Sequence, residues 1–186
     1  MRFLTLIPAA VALLLCSSAH AQQWIEYENR VMGFNINFPH EPTMEQIDYT
    51  TWHDDTVPAY VFSAERETGR YSVTVVDFSD VPTDSHTAIS HAAEAIGDKG
   101  EVTYSGFESF DGVPGQRLSV TQPDGRLIQA GFFFHDQRLY IAEGSVAAGN
   151  PVPNQFNQTL FVIDSEGNGI IWCESYNDCG PGGPGD

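Results

Sequence analysis

Basic side chains are what this sequence most lacks. Eight Lys and Arg stand against 25 Asp and Glu, a formal net charge of −17, and Lys99 is the only lysine. Such a chain repels polyanions, which excludes nucleic acid and anionic membrane surfaces as partners. The acids are scattered rather than clustered, which reads as a solubilising surface, with cation binding as the sharper alternative. Cysteine is scarce too: Cys16, Cys173 and Cys179 are the only three. No Cys-x-x-Cys occurs, and no histidine lies near the last two, so neither a redox pair nor a zinc site is indicated. There is no His-Glu-x-x-His and no phosphate-binding glycine loop. Gly144-Ser145-Val146 lacks the second glycine of a nucleophile elbow. No linker interrupts the middle of the chain, and glycine and proline cluster only at its far end.

One long apolar run is present, and it opens the chain. Arg2 is followed by Phe3 to Leu15, almost wholly apolar, and then by Ala19-His20-Ala21. These are the parts of a signal peptide over residues 1–21, with Gln22 as the mature N-terminus. The run is short for a membrane span, and no other segment could cross a membrane. A lipoprotein reading would centre on Cys16, but Leu15 stands where a small residue is expected. Export, to the periplasm or beyond the cell, is therefore expected. Loss of Arg2 leaves seven basic against 25 acidic residues, or −18. About 165 residues remain, enough for one domain with a core of its own. That domain spans 22–172, and a Gly/Pro-rich tail with two cysteines spans 173–186. In an exported chain a Cys173–Cys179 disulfide is the default. Its short loop would add only about 2–3 kcal/mol.

Alternation of apolar and polar residues dominates the middle. Trp24 to Tyr27 reads as an edge strand. In Gly33 to Pro39, Phe34, Ile36 and Phe38 share one face. Thr43 to Trp52 alternates more weakly, with Glu45, Ile47 and Tyr49 on one face. His53-Asp54-Asp55 is a turn. Val57 to Arg66 and Arg70 to Phe78 form a hairpin around Glu67-Thr68-Gly69. Thr83 or Asp84 caps a helix whose stripe is Ala88, Ile89, Ala92, Ala93 and Ile96; Gly97 and Gly100 end it. Glu101 to Phe110 leads through Asp111-Gly112 into a meander. Its runs are Gln116 to Val120, Arg126 to Phe134 and Arg138 to Val146, with turns at Pro123-Asp124-Gly125 and His135-Asp136. Phe132, Phe133 and Phe134 in succession require a strand covered on both sides. A short helix near Pro153 would bury Phe156, Leu160 and Phe161, and Phe161 to Ile163 would make a last strand. The fold class is α+β: a twisted antiparallel β-sheet with helices packed on it.

The order Gly33-Phe34-Asn35-Ile36-Asn37-Phe38-Pro39, a helix after a hairpin, Gly112 with Pro114-Gly115-Gln116-Arg117-Leu118, an aromatic strand and Arg138-Leu139-Tyr140 resembles the PsbP-like superfamily. That superfamily is named for an extrinsic photosystem II subunit and includes exported bacterial proteins of unassigned role. The resemblance spans about residues 24–163 and rests on strand starts, turns and core aromatics. It implies an α/β/α sandwich around an antiparallel sheet. It implies no catalytic residue, because such proteins are mainly binding or assembly factors. The segment from Asp164 onward is an extension to it.

Three constellations carry candidate chemistry. Ser85, His86, Ser90 and His91 lie on the first helix, but the two histidines are five apart and point to different sides, as exposed residues would. His53, Asp54 and Asp55 together with His135 and Asp136 could serve a metal-dependent hydrolase if the fold joined the two turns. Asp164-Ser165-Glu166-Gly167-Asn168-Gly169-Ile170-Ile171 spaces oxygen ligands like a calcium loop, making Asp164, Glu166 and Asn168 candidate ligands. Position twelve is Ser175 rather than an acid, Glu174 comes one too early, and a hairpin to Ile170-Ile171-Trp172 explains the same glycines. Asn157-Gln158-Thr159 matches a glycosylation sequon by chance. Trp24, Tyr27, Tyr60, Phe62, Tyr71 and Phe107 read as core aromatics, with a ligand groove where two meet at an open sheet end. The expected function is a non-enzymatic, exported binding or assembly domain for a protein or small ligand. No cofactor is called for apart from the calcium considered above.

Overall fold

The computed structural model describes residues 24–110 and 113–170. The segment expected to be a signal peptide, Asp111-Gly112, Trp172, the two C-terminal cysteines and the tail lie outside the described residues, as do Glu174 and Ser175. Period-two sequence becomes strand throughout. The strands are β1 (Ile25–Asn29), β2 (Phe34–Phe38), β3 (Thr43–Thr50), β4 (Thr56–Arg66) and β5 (Gly69–Asp77). Helix α1 (Ser85–Gly97) follows, then β6 (Glu101–Phe110), β7 (Val113–Thr121), β8 (Leu127–His135) and β9 (Arg138–Val146). A one-turn helix α2 (Asn154–Asn157) and the short β10 (Phe161–Val162) close the domain. Among the described residues no helix is long and apolar enough to cross a membrane.

The strands form two sheets rather than one. The larger has seven strands in the order β3-β4-β5-β9-β8-β7-β6, and each neighbouring pair is antiparallel. Two meanders, β3-β4-β5 and β6-β7-β8-β9, join where β9 pairs with β5. The crossover through α1 carries the chain from the middle of this sheet to its far edge. The smaller sheet is β1-β2-β10. Its separation depends on which strands meet across long stretches of chain, which local periodicity does not encode.

Each face of the large sheet has its own core. On one, Ala88, Ile89, Ala92, Ala93 and Ile96 of α1 pack on Val76, Leu118, Val120, Phe132 and Phe134. The small residues of that stripe let the helix lie close, as expected. Asp84 caps it, accepting from the Thr87 backbone N–H at 2.9 Å and from the Thr87 hydroxyl at 2.7 Å. On the other face Phe34, Ile36 and Phe38 of β2, with Phe156 and Leu160, pack on Phe62, Val73, Phe133 and Tyr140. The layers are therefore helix, seven-stranded sheet, and a three-stranded sheet carrying α2. Phe132 and Phe134 enter one core and Phe133 the other, so β8 is covered on both sides. Two aromatic expectations change. Phe107 is 78% exposed on the edge strand β6, and Phe161 lies on β10, 39% exposed, rather than on a buried helical face.

Gly33 fixes the approach of the two sheets. Its φ is +77°, and a Cβ there would stand 2.9 Å from the Tyr140 hydroxyl. That hydroxyl donates to the Met32 carbonyl at 3.1 Å, and burial pushes its pKa up to about 12.

Candidate functional site

At the end of the sheets where β5 begins and β9 ends, aromatic residues from three elements meet. Trp24 precedes β1 and stands edge-on to Tyr71 of β5, with ring centroids 4.9 Å apart. Phe156 of α2 completes the group, 5.4 Å from Tyr71 and 6.1 Å from Trp24. The Arg66 guanidinium lies 5.3 Å from the Trp24 ring centroid and donates to the Pro39 carbonyl at 3.1 Å. Trp24, Tyr71 and Phe156 wall a cleft of about 520 Å³, with Pro153 as a further apolar contact. Thr68, Asn150, Asn154 and Gln155 give it polar groups.

The loop after β9 builds the cleft's other wall. Gly149 takes φ +82°, and the Asn150 side chain and backbone both donate to the Ala147 carbonyl, at 3.1 and 3.2 Å. The loop then folds back over β9. A Cβ on Gly144 would come within 2.7 Å of Pro153, so the absent side chain is what lets the proline seat. Gly144 thus serves packing on a strand and belongs to no nucleophile elbow.

At the β2–β3 turn, His40 bridges two backbone carbonyls. Its Nδ1 lies 3.0 Å from the Glu41 oxygen and its Nε2 2.9 Å from the Glu65 oxygen. Carbonyls only accept, so this geometry favours the doubly protonated ring, which can donate to both. The bond to Glu65 is the larger cause of a pKa raised above the usual histidine value.

The structure does not unite the two candidate metal turns. At β3–β4, Thr51 is 2% exposed and organises the turn: its amide donates to the Asp55 carbonyl at 2.8 Å and its carbonyl accepts from Asp54 at 3.1 Å. Asp54 has φ +62°. At β8–β9 the two turn residues are Asp136 and Gln137, with φ +47° and +56°, while His135 still pairs with Arg138 in the ladder. Consecutive positive φ values are those of a hairpin turn matched to strand twist. Both turns lie at the same end of the sheet. They are three strand spacings apart, about 14 Å, too far for His53, Asp54 and Asp55 to share an ion with His135 and Asp136. Gln137 instead clasps Thr83, accepting from its N–H at 2.9 Å and donating to its carbonyl at 3.2 Å.

The Asp164 loop closes on itself. Asp164 Oδ1 accepts from the backbone N–H of Glu166 at 2.8 Å and of Asn168 at 2.9 Å; Oδ2 accepts from the Asn168 amide at 3.2 Å. Gly167 has φ +92° and donates to the Asp164 carbonyl at 3.1 Å. Ile163 bridges Gly169, which makes the segment a hairpin. The bonds from Asn168 are the main cause of an Asp164 pKa below the usual carboxylate range. Among the described residues no three His, Cys, Asp or Glu are grouped to hold a metal.

On α1, His86 is exposed, as expected for both histidines. His91 is not: its Nε2 meets the Thr50 carbonyl at 3.0 Å and its ring packs on Tyr49 and Trp52. Asn157 of the sequon is 4% exposed, closed to a modifying enzyme in the folded chain.

The groove anticipated where aromatics meet is thus formed by Trp24 and Tyr71. Sequence reasoning missed the loop that walls it, whose only signal is the Asn150-Pro151-Val152-Pro153 run after a strand.

No family model and no curated protein matches the chain. Among solved structures, it is similar to cyanobacterial PsbP from Synechocystis, at 15% identity over 73% of this chain and 86% of that one, with a TM-score of 0.46. It is also similar to a Pseudomonas aeruginosa protein of unknown function, at 8% identity over 67% of this chain and 83% of that one, with a TM-score of 0.36. The fold described above rests on its own strand pairing and two cores.

Proposed function

We propose that this chain is an exported, non-enzymatic binding domain whose ligand enters the Trp24–Tyr71–Phe156 cleft. The observation that carries the reading is the cleft's lining among the described residues: the half-buried Trp24 ring and prolines, backed by the buried Tyr71 and Phe156, with amide and hydroxyl groups and Tyr71 as the one titratable side chain. Such a surface supplies stacking and neutral hydrogen bonds, and no carboxylate, imidazole or thiol to move protons or attack. It fits an uncharged ligand with one apolar face and several hydrogen-bonding groups. The apolar leader and its small-residue cleavage site support export. The PsbP-like resemblance, with its implied layered sandwich and binding or assembly role, is in keeping.

The test is a melt of the processed chain with neutral mono- and disaccharides and, separately, short proline-containing peptides, with the Trp24 signal taken as the difference in fluorescence between wild type and Trp24→Ala, since Trp52 and Trp172 also emit. A ligand present at a hundredfold its Kd adds about 2.7 kcal/mol, which a melt registers. A shift in the wild type that Trp24→Ala abolishes supports the cleft. A shift that survives Trp24→Ala places binding elsewhere, and no shift with either class removes this ligand chemistry.

A further inference from the structure

We propose that β6 pairs edge to edge with β6 of a second copy of this chain, antiparallel about a two-fold axis at Phe107. This goes beyond the cleft and does not depend on it. β6 is the outermost strand of the large sheet, bonded to β7 alone. Its outer backbone groups have no strand partner among the described residues, and such an edge invites pairing. Three large apolar side chains crowd onto it: Val102 is 46% exposed, Tyr104 53% and Phe107 78%.

The faces on which they stand decide what kind of partner fits. Val102 pairs with Val120, which belongs to the core under α1, and Phe107 lies on that same face opposite Gln116. Tyr104, opposite Ser119, projects from the other face, where Arg117 and Glu108 form an ion pair at 2.8 Å. A partner laid on one face would cover only one set. A strand added alongside covers both.

The sequence of β6 is complementary to itself. Its register with β7 shifts between Val102 and Tyr104 and is regular from there to Phe110, a segment whose centre is Phe107. A two-fold axis at that centre sets Phe107 against Phe107 of the copy, a favourable aromatic cross-strand pair. It sets Ser105 opposite Ser109, Glu108 opposite Gly106, and Tyr104 opposite position 110. No acid meets an acid, although the whole chain carries −17. The opposite edge differs: β3 carries an acid on each face, Glu45 and Asp48, which guards it against pairing. Net repulsion between copies makes this association strengthen with salt.

The experiment is sedimentation velocity of the processed chain over a concentration series, at low and at roughly 0.5 M salt. A dimer that tightens with salt is expected. Phe107→Lys places two cations across the axis and should weaken it at least about tenfold. At a concentration where both are monomeric its melt should match wild type, since the side chain is exposed. Met44→Lys on β3 should leave the dimer intact. Phe107→Cys should form a covalent dimer on oxidation, because directly opposed strand residues stand about 4.5–5.5 Å apart at Cα, within disulfide reach. A wild type that stays monomeric across the series overturns the proposal. So does a dimer that Phe107→Lys leaves unchanged, or a Phe107→Cys chain that does not crosslink while the dimer persists.

Discussion

Asn157 brings an amide into the second core, and neither its oxygen nor its nitrogen finds a hydrogen-bond partner among the described residues. Its Cβ lies 3.6 Å from where a Cβ on Gly131 would be, so it rests on the bare backbone of β8. An unpaired buried polar group costs about 1–3 kcal/mol. Leucine has the same branching and the same number of side-chain heavy atoms, is somewhat bulkier, and carries no such groups. Asn157→Leu should therefore raise stability by about 1–3 kcal/mol in urea unfolding. A loss of similar size would mean that a bound water or ligand completes the amide's bonds. Tyr49 repeats the situation near the surface, since its buried hydroxyl is also unpartnered among the described residues and burial pushes its pKa up to about 12. Removing that hydroxyl with Tyr49→Phe should leave the melting temperature unchanged or higher.

At the scale of elements, helix α1 hangs on Asp84, and its cap gives a pH dependence of definite sign. The Thr87 hydroxyl, then the Thr87 backbone N–H, holds the Asp84 carboxyl below its usual pKa of 3.8. A depressed folded pKa gives stabilisation that is present above the unfolded value and is lost as pH falls through the folded one. Asp84→Asn keeps the cap and removes the titration, so its acid unfolding curve should be flatter below about pH 4 than wild type. Identical curves would show that ionisation of Asp84 contributes nothing to stability. Strand β8 makes a second prediction. Phe132→Ala and Phe133→Ala open cavities in opposite cores, and each should cost about 3–5 kcal/mol by chemical denaturation. A cheap Phe133→Ala would mean that the three-stranded sheet does not seal its face. Those consecutive phenylalanines, the alternation of β2, and the Ala88 to Ile96 stripe made strands, helix and two-sided burial legible in the sequence. Turn chemistry was legible to within a residue: Asp136-Gln137, rather than His135-Asp136, takes the positive φ values. The aromatic cleft was only half legible. Trp24 and Tyr71 are distant in sequence and meet because β1 and β2 fold onto β4 and β5, a long-range packing choice with no local signature.

At the scale of the whole molecule, charge is the property with the farthest reach. The 25 acids outnumber the basic residues by three to one. Ion pairs recover little of that repulsion: the closest contacts among the described residues include Lys99–Glu143 at 3.0 Å and Arg117–Glu108 at 2.8 Å, all at least partly exposed. Exposed pairs contribute about 0–1 kcal/mol each and are themselves screened by salt. Salt thus has two opposed effects, loss of a few attractions and relief of many repulsions, and the second is larger here. The melting temperature should rise steadily as ionic strength increases and the Debye length falls from about 30 Å at 0.01 M to about 8 Å at 0.15 M. Divalent ions separate this general effect from a site. If the Asp164 carboxylate is fully engaged by Glu166 and Asn168, calcium and magnesium at matched ionic strength should raise the melting temperature equally. A larger rise with calcium, abolished in Asp164→Ala, would make the hairpin of Asp164, Glu166 and Asn168 a calcium site after all. A fall with salt would show instead that the few ion pairs outweigh the net charge.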